Sequence, residues 1–317
     1  MELFYFLLLG FAILMYVVLD GFDLGLGILY PALPEQHDRD MMMRSVSHVW
    51  DGNETWLVFG GVILMGAFPA AYATLLPTLY LPICLMLISL IFRGIAFEYR
   101  FKATSSRQWW DLAFGLGSSV AAFCQGLMLG SLVQSGGEQL LTPFSILTAF
   151  AVMAGYALLG ATYLVVKTSG ALQDKAKRLV KPLLALVIIA MVAVSLWNFL
   201  AVPSVHTRWM SNIGWLWPIP FITAVIAFAL FKSLKHSEVA PFYCAVALFV
   251  MGFIGLVVGL FPYLVPGRLS LFDAAAPRQS LTFLLPGVLI FVPIILAYTL
   301  WGYRIFRGKV HDFEEGY

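Results

Sequence analysis

Apolar runs about as long as a bilayer is thick follow one another almost without pause along this chain. That succession constrains its fold more than any motif does. Taking about 20 residues per crossing, spans fall near 3–23, 53–70, 77–97, 112–134, 143–166, 182–202, 215–231, 240–262 and 282–303. The expected architecture is all-α, a polytopic membrane protein of about nine transmembrane helices, with residues 1–317 in a single transmembrane domain. Composition agrees, because charged residues make up 11% of the chain against roughly 25% in a typical soluble domain, and mean hydropathy is +0.89. A net charge of +2 is too small to argue for nucleic acid or an acidic partner. Residues 1–19 carry Glu2 where a leader would be basic, and they run into Asp20-Gly21-Phe22-Asp23 rather than a small-residue cleavage site. The stretch therefore reads as the first span. Pro143, Pro182 and Pro241 are expected near span ends, where a missing N–H costs little, and Pro77, Pro82, Pro220 and Pro293 are expected to bend their helices. Cys84, Cys124 and Cys244 each lie in an apolar run without C-x-x-C spacing and read as packing residues.

Orientation follows from the connections. With the N-terminus outside, the basic residues between 39 and 44, 100 and 107, 167 and 181, 232 and 235, and 304 and 309 all flank one side. Arg208, Arg268 and Arg278 fall on the other. By the positive-inside rule the N-terminus is expected to be external and the C-terminus cytoplasmic.

The unusual stretch is Trp50-Asp51-Gly52-Asn53-Glu54-Thr55-Trp56, where two carboxylates open an apolar segment. Asp51 and Glu54 are three apart, which sets both on one face of a helix, between tryptophans of the kind that anchor at membrane interfaces. The first helix descends from outside, so Asp20 and Asp23 lie roughly 25–30 Å down at 1.5 Å per residue. The second helix rises from that level and the third returns to it. Asp20, Asp23, Asp51, Glu54, Arg93, Glu98 and Arg100 therefore share one depth near the cytoplasmic face. Ionisable groups at membrane depth are expensive and mark functional sites. These seven read either as a neutralised structural network or as a hydrated proton entry; Asp51 and Glu54 alone would also suit an ordinary helix start.

Glycines and histidines limit the chemistry. Gly21, Gly25 and Gly27 interrupt a membrane helix with no strand before them, so close helix contact is expected rather than a nucleotide loop. The same expectation covers Gly60 with Gly61, Gly126 with Gly130, and Gly252 with Gly255 and Gly259. His37, His48, His206, His236 and His311 fall in loops, in tails or just before a span, which leaves a buried haem no obvious axial histidine here. No metal cluster of His, Cys and carboxylate is expected.

Several runs resemble subunit II of the cytochrome bd-type quinol oxidases. They are Leu19-Asp20-Gly21-Phe22-Asp23-Leu24-Gly25, Trp50-Asp51-Gly52-Asn53-Glu54-Thr55-Trp56-Leu57, Phe92-Arg93-Gly94-Ile95-Ala96-Phe97-Glu98-Tyr99-Arg100, Gly160-Ala161-Thr162-Tyr163-Leu164, Phe261-Pro262-Tyr263 and Val292-Pro293-Ile294-Ile295-Leu296. Their succession spans nearly the whole chain. Two departures stand out: many relatives have Gln where this chain has Glu54, and longer relatives have a larger external connection where residues 201–215 are short. The resemblance implies two four-helix bundles plus one peripheral helix, paired in the bacterial inner membrane with a similarly folded subunit I. That partner would carry two b-type haems, one d-type haem and the quinol-oxidising loop, with ubiquinol or another quinol as substrate and oxygen reduced to water. It further implies a proton route through the positions of Asp23 and Asp51, a structural quinone in some members, and small single-span accessory subunits among the lipid. A proton-coupled transporter and a pure scaffold are the competing functions, although a carrier's inverted repeat and polar midplane are not evident.

Overall fold

The structure, a computed structural model, describes residues 1–310; His311 lies outside the described residues. Apolar sequence inside a membrane must satisfy its own backbone polar groups, and helices do so within one segment. α1 spans Glu2–Leu29, past the expected end at residue 23, and closes in a 3-10 turn at Tyr30–Ala32. A short helix not expected from the sequence follows, α2 (Gln36–Val46), burying Met41, Met42 and Met43. α3 (Trp50–Ala67) stops at Phe68 because Pro69 disfavours a helical conformation in the residue before it. Pro69 opens the short α4 (Pro69–Thr78), and α5 (Tyr80–Tyr99) descends from it. α6 (Arg107–Ser135) ends on Gly136, whose φ of 62° is the left-handed cap that glycine adopts without strain. α7 (Pro143–Lys167) begins on a reciprocal cap between Thr142 and Ser145. α8 (Gly170–Ala201) starts a dozen residues before Pro182, which therefore lies inside the helix and not at its start; its first turns are hydrophilic. α9 (Pro203–Ser211) and α10 (Ile213–Leu216) fill the short connection to α11 (Pro218–Ser233) and α12 (Ala240–Leu260). A two-stranded antiparallel hairpin, β1 (Tyr263–Val265) and β2 (Leu269–Ser270), and α13 (Leu271–Ala274) precede α14 (Arg278–Ile305), which holds Pro286 and Pro293.

Among the described residues eight helices are long and apolar enough to cross a membrane. α3 is the ninth expected span, and Asp51, Asn53 and Glu54 in its first turns keep it from qualifying by hydropathy. The helices gather into two groups of four, α1, α3, α5 and α6 in one and α7, α8, α11 and α12 in the other, joined by α7 against α1 and α6. α14 is peripheral and packs mainly on α3. It runs parallel to α1. Tyr5 near the start of α1 donates to the Leu281 carbonyl at 2.7 Å, while Asn53 links Tyr303 near the end of α14 to Asp23.

Two glycine contacts set the core spacing. A Cβ on Gly25 would overlap the Tyr156 carbonyl, and Gly160 faces Gly25 directly, so the backbones of α1 and α7 touch. Gly126 and Gly130 do the same for α6 on α7, against Ala149 and Ser145. The expectation fails for Gly252, Gly255 and Gly259, where the nearest side chains stand 3.8 Å or more from an added Cβ or none lies within 4 Å.

The basic connections meet at one end of the bundle. Lys175 on α8 holds Asp38 at 2.8 Å and Glu35 at 2.7 Å, and its hydrogen bond and charge keep Glu35 below the usual carboxylate range. Lys167 donates to the Phe306 carbonyl, and Lys309 pairs with Glu238 at 2.7 Å.

Candidate functional site

The site forms where α1, α3 and α5 reach this basic end. On α3 the face turned into the bundle is Asn53, Trp56, Gly60, Ile63 and Ala67, all buried at alternating spacings of three and four. Glu54 stands one position round from that stripe and is 24% exposed. Asp51 lies about 200° away from Asn53 at 100° per residue and is exposed, its carboxylate accepting from the Gly52 N–H next to it. Spacing by three thus brings Asp51 near Glu54 in angle but not into the bundle. Trp56 is fully buried against Phe11 and Phe59 rather than at a membrane interface, and Trp50 stacks on Phe97 with ring centroids 5.1 Å apart.

α5 contributes Arg93. It shares a buried stripe with Met86, Leu90, Phe97 and Arg100, and its side chain is inaccessible. Its Nη2 donates to Asp20 Oδ1 at 2.7 Å and to Glu54. Asp23, one turn beyond Asp20, is equally buried and accepts from Asn53 Nδ2 at 2.8 Å. Asn53 also donates to the Leu19 carbonyl and accepts at Oδ1 from the Tyr303 hydroxyl, 2.8 Å away. Three carboxylates and one guanidinium therefore share one buried cluster: Asp20, Asp23, Glu54 and Arg93.

The other expected members stand apart. Glu98 is five residues past Arg93, on the far side of α5, where it is exposed and pairs with Lys102 at 3.6 Å. Arg100 keeps Arg93's face, but about two turns nearer the helix end. There it joins a second, structural cluster with Asp40 at 2.6 Å and with Asp111, flanked by Arg39 and Arg107. Residues without charge complete the site. Beyond Asn53 and Tyr303, a string runs inward from Tyr16, one turn before Asp20: Gln125 Nε2 donates to the Tyr16 hydroxyl at 2.7 Å, and the Tyr156 hydroxyl donates to Gln125 Oε1 at 2.6 Å. Gln125, an amide in the middle of an apolar span, was the legible signal for it.

The family model for cytochrome bd terminal oxidase subunit II matches residues 1–306. The chain belongs to that family. Among relatives of subunit II it is similar to cytochrome bd-I ubiquinol oxidase subunit 2 of Escherichia coli K12, at 28% identity over 96% of this chain and 94% of that one. The corresponding subunit of Bacillus subtilis strain 168, cytochrome bd ubiquinol oxidase subunit 2, is 26% identical over 98% and 97%. The probable cytochrome oxidase subunit 2 of Haemophilus influenzae is 27% identical over 96% and 92%. The fold matches a solved structure of bd oxidase from Geobacillus thermodenitrificans with a TM-score of 0.81, at 16% identity, covering 96% of this chain and 98% of that one. This chain is accordingly a subunit of a bd-type quinol oxidase, an oxidoreductase complex in which subunit II works with a partner subunit I. The transporter alternative falls with that assignment.

Proposed function

We propose that subunit II keeps a proton-exchanging carboxylate cluster at the basic end of the bundle and delivers protons from it to oxygen reduction on the partner subunit. The observation that carries this reading is the buried cluster itself. Asp20 and Glu54 share one guanidinium while Asp23, one turn on, is held by the Asn53 amide, and the surplus of acid over base in a low-dielectric site is what lets such a group bind and release a proton. Arg93 stays charged and acts as the electrostatic anchor. The basic connections that converge on this end support a cytoplasmic placement for it, with the N-terminus external.

The haems, two of b type and one of d type in this reading, belong to subunit I, where they supply the electron transfer from quinol to oxygen. Among the described residues no histidine fits them: His37, His48, His206 and His236 are all exposed at the ends of the bundle, away from any place an axial imidazole would need to stand. Small accessory subunits and lipid complete the assembly.

Asp20→Asn and Asp23→Asn, each made in the complete oxidase, are expected to cut oxygen consumption at least about tenfold, in line with the loss of a positioned proton-transfer group. Haem content should stay close to normal, because Arg93 keeps Glu54 as its counter-ion in either variant. Full turnover in both haem-replete variants would rule out proton delivery through the cluster, and parallel loss of haem and turnover would mark it as structural. Orientation is tested separately: reporters fused after Gly170 should report cytoplasm and reporters near Gly136 the exterior, and the reverse pattern would invert the scheme.

A further inference from the structure

α11 and α12 form an outer wall of the second helix group, burying Ala227 and Leu230 of one and Pro241, Ala245 and Leu248 of the other. Outside those faces a recess of about 560 Å³ opens between the two helices, lined by Val225, Ala229, Ala240, Cys244 and Ala247 among others. Alanine side chains are too short to close it. Its volume falls within the roughly 300–1,000 Å³ of small-molecule sites, and its lining is mostly apolar. From Ala240 to Ala247 it runs about 10 Å along α12 at 1.5 Å per residue. It begins at the connection between the helices, since Ser237 and Val239 also line it. That connection is cationic. Lys232 continues the stripe of Val225 and Ala229, three residues past Ala229 and so on the same side of α11, and its ammonium rests over the Phe228 ring, 5.4 Å from the centroid. Lys235 follows in the turn. Both are exposed, and neither pairs with a carboxylate among the described residues. The acid of the turn, Glu238, is taken by Lys309 at 2.7 Å, a hydrogen bond that keeps it below the usual carboxylate range.

We infer that this recess binds one acyl chain of an anionic phospholipid, whose phosphate sits at Lys232 and Lys235. Within a bilayer a hollow in a helix wall either fills with hydrocarbon or forfeits its contacts, and a chain seated in it touches protein on several sides where a flat wall offers one. Charge at the head of the recess selects the lipid. A phosphate meets two ammonium groups there, whereas the cation of a zwitterionic headgroup finds no free carboxylate in the turn, because Glu238 already holds Lys309. A further helix does not suit the same place: a spanning segment needs about 20 residues, or about 30 Å, three times the length of the recess. The site stands independently of proton delivery, since α11 and α12 contribute no residue to the carboxylate cluster.

The test uses the complete two-subunit oxidase in phosphatidylcholine vesicles that contain a trace of either phosphatidylglycerol or phosphatidylcholine bearing a photoactivatable diazirine in its acyl chain. After illumination and peptide mapping, residues 225–229 and 240–247 should carry about tenfold more label from the phosphatidylglycerol probe, in line with two lysines at an anionic headgroup. Lys232→Gln with Lys235→Gln should bring the two probes level at this site, with haem content and oxygen consumption unchanged because neither lysine touches the carboxylate cluster. Ala229→Phe fills the recess and should suppress labelling there by both probes, while the rest of the chain labels as before. Equal labelling by the two probes in the unmodified oxidase, a comparison that needs no variant, would overturn the site. So would a preference for phosphatidylglycerol that survives the loss of both lysines. A co-purified polypeptide crosslinked at Cys244 in place of lipid would overturn it in favour of a protein partner.

Discussion

Arg93→Met is expected to prevent the oxidase from accumulating in haem-replete form, the largest effect of any single side-chain truncation in the chain. The variant would leave Asp20, fully buried, and Glu54, 24% exposed, facing each other without the guanidinium that binds both. Breaking a buried ion pair from one side costs about 3–5 kcal/mol, a large part of the roughly 5–15 kcal/mol that separates folded from unfolded protein. Arg93→Lys should recover part of the loss, because an ammonium restores the charge but not the planar fork. The informative variant is the triple one, Arg93→Met with Asp20→Leu and Glu54→Leu. Replacing a whole buried ion cluster with apolar residues is often neutral or stabilising, so haem content should return while oxygen consumption does not. Haem per complex and oxygen consumption, measured on the same membranes, check the series. A haem-replete, active Arg93→Met oxidase would show that the cluster holds neither fold nor function. That the guanidinium is kept for more than stability is already suggested by its own bonding, since its Nε and Nη1 are buried with no partner among the described residues.

Which charges meet was only partly legible in the sequence. Depth was readable, because rise per residue and the alternation of spans bring residues 20, 23, 54, 93 and 100 to one end of the bundle. Rotation was not. Asp51 and Glu98 have the right depth and the wrong angle, and only the packing of α3 on α1 and of α5 on α6 decides which side of each helix faces inward. For α3 a signal existed in the small and polar stripe of Asn53, Gly60 and Ala67, which marks the inward face better than the spacing of its two acids. Asn53 carries no charge to mark it, yet it makes more hydrogen bonds to the site than Asp51 does. Tyr303 could not be placed from the sequence at all. It lies 250 residues from Asn53 along the chain, and nothing in a short connection fixes how the peripheral α14 is turned. The same logic explains the glycines. Those at 25, 126 and 130 pack backbone on backbone and those at 252, 255 and 259 do not, because the spacing is shared and only the neighbours differ.

Gly25→Val is the second change expected to be severe, and it acts from inside the core. At Gly25 the obstacle to a side chain is the Tyr156 carbonyl, and across it a Cβ on Gly160 would come within 2.7 Å of the Gly25 carbonyl carbon. Backbone cannot swing aside as a flexible side chain can, so α1 and α7 must separate. Overpacking of this kind costs typically about 1–3 kcal/mol and more where nothing can yield. Contacts between membrane helices depend on close packing because lipid competes equally for their apolar faces. The consequences reach the site as well. Tyr156 bonds Gln125, Gln125 bonds Tyr16, and Tyr16 stands one turn from Asp20, so a shift between α1 and α7 also breaks the string behind the carboxylates. Gly60→Ala is the matched control. It too is buried, but its added methyl would meet only the Ala12 side chain at an ordinary 3.8 Å, and an alanine there removes some of the backbone entropy that glycine loses on folding. In the purified complex, Gly60→Ala should keep its midpoint of thermal unfolding and its haem content. Gly25→Val should lower the midpoint clearly and should lose haem and turnover together. A Gly25→Val oxidase with an unchanged midpoint would mean that α1 and α7 do not touch at this glycine.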